Sequence, residues 1–326
     1  AIVNKFLVEN NISYDCENIT VGVGGKHVIY NLFMSSLDLN DEVIIPAPYW
    51  VSYPDIVSLC GGKPIIVDTQ IENDFKITPN ELEKKITKNT KWFIINSPGN
   101  PTGTVYNEQD LKELSEVLIK FPDVNILSDD IYEHIIYNSE KFYNIINVNP
   151  SLKKRTFIVN GVSKVFSMTG WRIGYGAGDN NIVKSIAKIQ SQSTTNPCSI
   201  SQMAAKHALE KDKKFLNEWI EKFKKRKIFL LDFFESINGL KPFVPKGAFY
   251  LYVSCKGFIG KKDKNNLVIS NDLDFAEYLL NNAKVAVVPG IAFGKSPYFR
   301  ISYATSFDEL KEACERIESA LRKFDF

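Results

Sequence analysis

Histidine, paired cysteine and long apolar runs are what this sequence has least of, and each shortage closes off a class of function. Only three histidines occur in 326 residues, none at metal-ligand spacing, which argues against a catalytic metal. The five cysteines (Cys16, Cys60, Cys198, Cys255 and Cys314) are scattered, odd in number and without a CxxC pair. That pattern argues against a disulfide framework or zinc site and for a reducing compartment, so a cytoplasmic location is expected. No apolar run is long enough to span a bilayer, so no membrane partner is expected. A formal net charge of +2 exerts no general pull toward nucleic acid or acidic membranes. The basic clusters "EKFKKRK" (221–227) and "GKKDK" (260–264) alternate with acidic or apolar residues and read as solvated helix faces and a loop tip.

The opening stretch, "AIVNKFLVENNISY", lacks an initiator Met, and charged residues break its apolar positions, so it does not read as a signal peptide. Ile2, Val3, Phe6 and Leu7 fall at helical spacing with no cap before them. The chain is therefore expected to open inside a helix, with residues missing upstream.

From about residue 19 to 180, short apolar strands alternate with helices. Strand-like "ENITVGVGG", "DEVIIPAP", "KPIIVDT", "TKWFIIN", "VNILSDD", "RTFIVNGVSK" and "WRIGYGAG" are separated by helical stretches such as "KHVIYNLFMSSL" and "NEQDLKELSEVLIKF". This alternation predicts an α/β fold with a mostly parallel sheet covered on both faces. After residue 180 the pattern changes to helices over 181–191 and 198–238. Strands "GAFYLYVS", "VAVVPG" and "YFRISYA" follow, then a final helix, "SFDELKEACERIESALRKF". A smaller α+β domain is expected there. The divisions expected are a remnant segment at 1–18, a large domain at 19–205 and a small one at 206–326, with a long helix over 205–238 bridging them.

Ligands of open α/β sheets bind at the carboxyl ends of the strands. Reading those ends in order yields Gly24, Gly25 and Lys26 opening a helix, then Tyr49 and Trp50, Asn96 and Asn100, Asp129, Asp130 and Tyr132, and Ser163 with Lys164. Each has a plainer reading. The glycine loop is no Walker A, Trp50 could be core, Asn100 a turn residue, and Asp129 a helix cap. Lys164 and Arg172, set in "NGVSKVFSMTGWRIGYGAG" with no acidic residue to offset them, could pair with Asp129 and Asp130 as structural salt bridges.

One ligand accounts for the whole set: a flat, anionic heteroaromatic aldehyde carrying a phosphate, pyridoxal 5′-phosphate. Its aldehyde needs an amine, and Lys164 sits at a strand end among small residues. A free lysine, with a pKa of about 10.4, is a poor nucleophile; neighbouring cations and desolvation lower it. Asp129 could hold the proton on the ring nitrogen, Tyr132 and Asn100 could donate to the phenolate oxygen, and Trp50 offers a stacking face. Backbone N–H groups around Gly25 and Lys26, with the Arg172 guanidinium, suit the phosphate. Arg300, mid-strand in "YFRISYA", could close a bidentate fork onto a carboxylate; its plainer reading is an ordinary ion pair.

The motifs "GGKHVIYNLF", "PYWVSYPD", "NSPGNPTG", "SDDIYEH", "NGVSKVFSMTGWRIGY" and "YFRISYATS" follow one another in an order that resembles the fold-type I, class I/II aminotransferases. Within them the likeness is greatest to the aspartate aminotransferases of the prokaryotic "GGK" subgroup, and it covers essentially the whole chain. The resemblance implies a seven-stranded, mostly parallel sheet between helices, a smaller C-terminal domain and a homodimer with the cofactor between subunits. It implies Lys164 as the Schiff-base lysine and general base, Asp129 at the pyridine nitrogen, Tyr132 and Asn100 at the phenolic oxygen and Trp50 on the ring. It further implies Arg172 and the Gly25–Lys26 loop at the phosphate, and Arg300 at the substrate α-carboxylate. Asn100 and Trp50 border the substrate, and Lys26 can meet a distal carboxylate, since "QSQSTTNPCS" lacks the second arginine of animal-type relatives.

The expected reaction is ping-pong transamination between an acidic amino acid, L-aspartate, and 2-oxoglutarate. Prephenate or an aromatic 2-oxo acid is a further acceptor in some relatives. A β-lyase on the same scaffold, a transcription regulator's effector-sensing domain, and an inactive module lacking the family's N-terminal arm, with its glycine segment and donated tyrosine, are the rival readings.

Overall fold

The computed structural model describes residues 1–137 and 141–325. Seven strands form the larger sheet: β1 (Ile19–Val23), β2 (Glu42–Ala47), β3 (Lys63–Asp68), β4 (Thr90–Asn96), β5 (Asn125–Asp129), β6 (Thr156–Gly161) and β7 (Ile173–Ala177). Their spatial order is β1-β7-β6-β5-β4-β2-β3. The β3-β2, β2-β4, β4-β5 and β5-β6 pairs are parallel, while β7 runs antiparallel to both its neighbours.

The strands read as continuous apolar runs because both faces are covered. Val43, Ile45, Trp92, Ile94, Leu127, Phe157 and Val159 pack on one face with Val28, Leu32 and Phe33 of the Gly25–Ser36 helix. The residues between them, Ile44, Phe93, Ile95, Ile126 and Ile158, pack on the other with Leu111, Leu114 and Leu118 of the Glu108–Ile119 helix. Successive side chains of a strand point to opposite faces, so an unbroken apolar run is what a doubly covered sheet requires. Burying one such side chain contributes about 1.5–3 kcal/mol relative to leaving it exposed.

The single reversed strand has a positional consequence. With β7 running backward, its amino end lies at the same sheet edge as the carboxyl ends of the parallel strands, and that is where Arg172 immediately precedes Ile173. Here the chain also comes close to itself. A Cβ at Gly174 would lie 2.1 Å from the Gly25 nitrogen, so only glycine admits the helix start this near the strand.

A second sheet, β8 (Lys241–Phe243), β9 (Tyr250–Ser254), β10 (Val288–Pro289) and β11 (Tyr298–Ser302), is antiparallel with order β10-β11-β9-β8. It shares a core with the Phe215–Glu235 and Phe307–Leu321 helices through Leu230, Phe234, Phe299, Leu310 and Ile317.

The uninterrupted helix expected over 198–238, and over 205–238 as a bridge, is not formed. Two helices, Ser199–Glu210 and Phe215–Glu235, take its place. Lys211 turns extended, and the Asp212 carboxylate accepts from the Lys214 N–H at 2.8 Å. An aspartate side chain that satisfies the backbone locally competes with the helical ladder, and here that bond lies in the gap between the two helices.

Candidate active site

The carboxyl edge of the large sheet faces the small sheet across a cavity of about 310 Å³. All nine side chains and loop residues singled out by sequence (Gly25, Lys26, Trp50, Asn100, Asp129, Tyr132, Lys164, Arg172 and Arg300) line it. Each arrives by a separate strand exit. Asp129 ends β5 beside Asn96 of β4, whose side-chain amide donates to the Asp129 carbonyl at 2.9 Å. Lys164 follows β6, Trp50 follows β2, and Gly24–Lys26 follow β1.

The four cations in the cavity, Lys26, Lys164, Arg172 and Arg300, face one carboxylate, Asp129. The salt bridges offered as a plain alternative for Lys164 and Arg172 do not form among the described residues. Asp130 instead turns away into the fold, accepting from Ser128 Oγ at 2.7 Å and Asn144 Nδ2 at 2.6 Å. Burial, then the Glu133 charge, push its pKa up to about 8.

Lys164 is held below its ordinary pKa chiefly by burial, then by Arg300 and Arg172, with Asp129 pulling the other way. Its ammonium lies 5.9 Å from the Tyr132 ring and 5.7 Å from Phe249, and it makes no hydrogen bond among the described residues. Burial raises Asp129 to about 6, against the opposing hydrogen bonds of the Tyr53 hydroxyl and the Ile131 N–H and the attraction of Lys164. The Tyr53 hydroxyl donates to Asp129 Oδ2 at 2.5 Å.

Arg172, though set in a run of small and apolar residues, is exposed. It sits at φ 55°, a left-handed conformation that costs a non-glycine residue roughly 1–3 kcal/mol and is tolerated where function demands it. Its Nη1 donates to the Thr169 carbonyl at 3.0 Å. Gly24, at φ 85°, leaves the guanidinium room: a Cβ there would come 2.4 Å from Arg172 Nη2. The Gly25–Ser36 helix starts beside it, so unpaired N–H groups and a guanidinium converge on one anion-sized space. Lys26 extends over Trp50, 5.0 Å from the ring.

On the other wall, Arg300 Nη1 donates to Asn100 Oδ1 at 2.8 Å, while its Nε is buried with no partner among the described residues. An unsatisfied buried donor on a cation is costly unless a ligand takes it, and a carboxylate does so in a two-point fork. The donor set therefore fits pyridoxal phosphate with an amino acid: a lysine of lowered pKa, a buried carboxylate, an indole face, an anion cradle and a guanidinium with a spare N–H.

Three contributors were not singled out from sequence. Tyr53 lies three residues beyond Trp50, a spacing that puts both on one side of the helical turn, and their rings meet at 5.2 Å. Tyr250 and Phe293 flank Arg300, with ring centres 4.5 and 4.9 Å from its guanidinium carbon. The alternation Tyr250–Tyr252 in "GAFYLYVS" was the available signal for Tyr250; Phe293 carries none.

The family described as aminotransferase class I and II matches residues 1–317. A probable aspartate/prephenate aminotransferase of Rickettsia typhi is 56% identical over 320 residues, spanning 98% of this chain and 80% of that protein. An aspartate aminotransferase of Rhizobium meliloti (strain 1021) is 48% identical over 320 residues, spanning 98% and 78%. The crystal structure of the aspartate aminotransferase from Rhizobium meliloti superposes with a TM-score of 0.96 at 48% identity, covering 99% of this chain and 81% of that one. An aromatic aminotransferase from Pyrococcus horikoshii superposes at 0.90 with 37% identity, covering 98% and 84%. The seven-stranded, mostly parallel sheet is that of fold type I. The chain is an aminotransferase and belongs to the class I and II family, whose members are pyridoxal-phosphate enzymes.

Proposed function

We propose that this chain transfers the amino group of L-aspartate to 2-oxoglutarate by a ping-pong mechanism, with pyridoxal 5′-phosphate held in the cavity described above. The observation that carries the reading is the excess of cations there: Lys26, Lys164, Arg172 and Arg300 against Asp129 alone. A cofactor phosphate and the two carboxylates of an acidic substrate supply the missing negative charge.

Bound pyridoxal phosphate supplies an aldehyde for amines and a protonated ring that withdraws electrons from a substrate α-carbon. Asp129 holds the ring-nitrogen proton by charge pairing. Tyr132 and the amide nitrogen of Asn100, whose oxygen is already engaged by Arg300, donate to the ring oxygen. Trp50 covers the ring. The N–H groups at Gly25 and Lys26 and the Arg172 guanidinium grip the phosphate. Arg300 binds the α-carboxylate through its unpartnered Nε and a terminal nitrogen, which fixes the α-carbon beside Lys164. Nζ of Lys164, held below its ordinary pKa chiefly by burial and then by Arg300 and Arg172, would take the α-proton and return it on the neighbouring carbon. The first 2-oxo acid leaves before the second enters, because both use the same Arg300 fork. Lys26 meets the distal carboxylate. Prephenate, a 2-oxo acid with a second carboxylate, meets the same requirements, and the relatives named aspartate/prephenate aminotransferases support it as a further acceptor.

A homodimer belongs to the same proposal. The phosphate side of the cavity opens to solvent at Arg172, beside exposed Trp171 and Leu59, where a second copy would close it. The five free cysteines and the absence of any described helix long and apolar enough to cross a membrane support a cytoplasmic location. The testing variant is Lys164→Ala, which is expected to abolish turnover while still taking up the cofactor without a covalent link. A wild-type rate in that variant refutes the assignment.

A further inference from the structure

Arg300 and Tyr132 stand on different sheets, and one side chain touches both. In the antiparallel pair β9–β11, Arg300 is opposite Tyr252, and Ser302 is opposite Tyr250. Period-two alternation puts Tyr250 and Tyr252 on the same face as Arg300, with Tyr250 diagonal to the guanidinium and within reach of it. The Tyr250 ring lies 4.5 Å from the Arg300 guanidinium carbon, while its hydroxyl lies 2.7 Å from that of Tyr132. Both tyrosines are buried, at 6% and 4% exposure, so neither hydroxyl exchanges this partner for bulk water. Among the described residues Tyr132 has no other hydrogen-bond partner.

The pair is symmetric in the protein alone, where either hydroxyl can donate. It ceases to be so once Tyr132 donates to an oxygen in the cavity. Each phenol has a single O–H, so Tyr250 must then donate to Tyr132, and a donor that also accepts is a stronger donor. The same ring supplies a face for the Arg300 cation. Resting on the cofactor reading above, we infer that Tyr250 is a positioning residue coupling the substrate-carboxylate site to the ring oxygen of the cofactor. Its ring holds Arg300 in place and its hydroxyl sets the direction and strength of the Tyr132 hydrogen bond.

The two halves of this role separate by substitution. Tyr250→Phe keeps the ring and loses the hydroxyl; Tyr250→Leu loses both. Each variant, loaded with pyridoxal phosphate, is titrated from about pH 5 to 10, and the midpoint of the bound cofactor's absorbance change is read together with KM and kcat for aspartate. Tyr250→Phe is expected to move the midpoint upward by about half a pH unit, because a weaker donor stabilises the ring oxygen's negative charge less. Its KM should stay within about twofold of wild type. Tyr250→Leu should show the same midpoint shift and a KM raised by about tenfold through loss of the cation–ring contact. An unmoved midpoint in Tyr250→Phe overturns the hydroxyl's role, and an unmoved KM in Tyr250→Leu overturns the ring's. If either variant melts far below wild type, Tyr132→Phe serves as the second route. The shift it produces must not increase further when Tyr250→Phe is added, and full additivity overturns the coupling. A wild-type protein that takes up no pyridoxal phosphate overturns the cofactor reading itself, and this inference with it.

Discussion

Arg300 and Asn100 meet across 200 residues of sequence, the guanidinium donating to the amide oxygen at 2.8 Å, and this bond joins the small sheet to the β4 exit of the large one. It leaves the Asn100 amide nitrogen free to donate into the cavity and holds Arg300 with its buried Nε–H unpaired among the described residues. Asn100→Ala should therefore raise KM for the amino acid by about tenfold, the worth of one hydrogen bond to a charged group. Arg300→Ala should raise it by a hundredfold or more, and the double variant should cost less than the product. Steady-state kinetics on the three variants tests this; strictly multiplicative losses would show that the two residues act separately.

The buried carboxylate yields a prediction whose sign depends on the cofactor. Burial raises Asp129 from 3.8 to about 6, so in the cofactor-free protein its ionised form is the disfavoured one. The unfolded chain gives up this proton at lower pH than the folded chain. Stability is therefore lost as pH rises from about 4, and the loss is complete above about 6. Asp129→Asn should stabilise the cofactor-free protein at about pH 7.5 by roughly 1–3 kcal/mol, with no difference near pH 4. With pyridoxal phosphate bound the order should reverse, because the carboxylate gains a cationic partner. Thermal melts with and without cofactor at the two pH values decide it.

Tyr53 is the group that holds that carboxyl down. Tyr53→Phe removes the 2.5 Å bond, leaving burial less opposed. The acid limb of the activity profile should move to higher pH, with kcat lowered on that limb and recovering as pH rises. A profile that keeps its shape at lower amplitude would contradict this role.

Lys5 gives a contrasting case, structural and outside the cavity. It pairs with Glu133, which also accepts from Asn10 at 2.7 Å and Asn160 at 2.6 Å. Both charged groups are buried, and the pairing, together with His134 and the Asn10 amide, keeps Glu133 below its ordinary pKa despite burial. Lys5→Ala strands a buried carboxylate and should cost about 3–5 kcal/mol of stability. Denaturant unfolding measures it. A loss below about 1 kcal/mol would mean that Glu133 is solvated or protonated instead.

These cases show where the sequence was legible. The strand exits could be read because apolar runs end abruptly in polar residues: "WFII" in Asn96, "NILS" in Asp129, "FIVNG" in Ser163 and Lys164. The sheet rule places such ends together. Alternation alone could not choose between Asp129 and Asp130, since it says only that one of two successive residues faces the cavity; the structure places Asp129 there and turns Asp130 to Ser128 and Asn144. What escaped was anything set by two distant segments meeting. Tyr250 reaches Tyr132, and Phe293 reaches Arg300, through a small-sheet register that no local period encodes. The helix break at Lys211–Lys214 was missed because lysine and aspartate are compatible with a solvated helix face, and only the local bond of Asp212 ends the ladder. The Asp272–Tyr278 helix, capped by Asn271, lies in a stretch to which the sequence pattern assigned nothing.

Amino-group transfer at Lys164, to and from acidic substrates, has two halves that one spectroscopic experiment reads. The protein is loaded with pyridoxal phosphate and its absorbance followed while aspartate is added, the aspartate removed, and 2-oxoglutarate then supplied. Aspartate is expected to convert the cofactor from its aldehyde to its amine form without release of ammonia, and 2-oxoglutarate to restore the starting spectrum. A spectrum that aspartate leaves unchanged, or a change accompanied by free ammonia, would contradict this transfer.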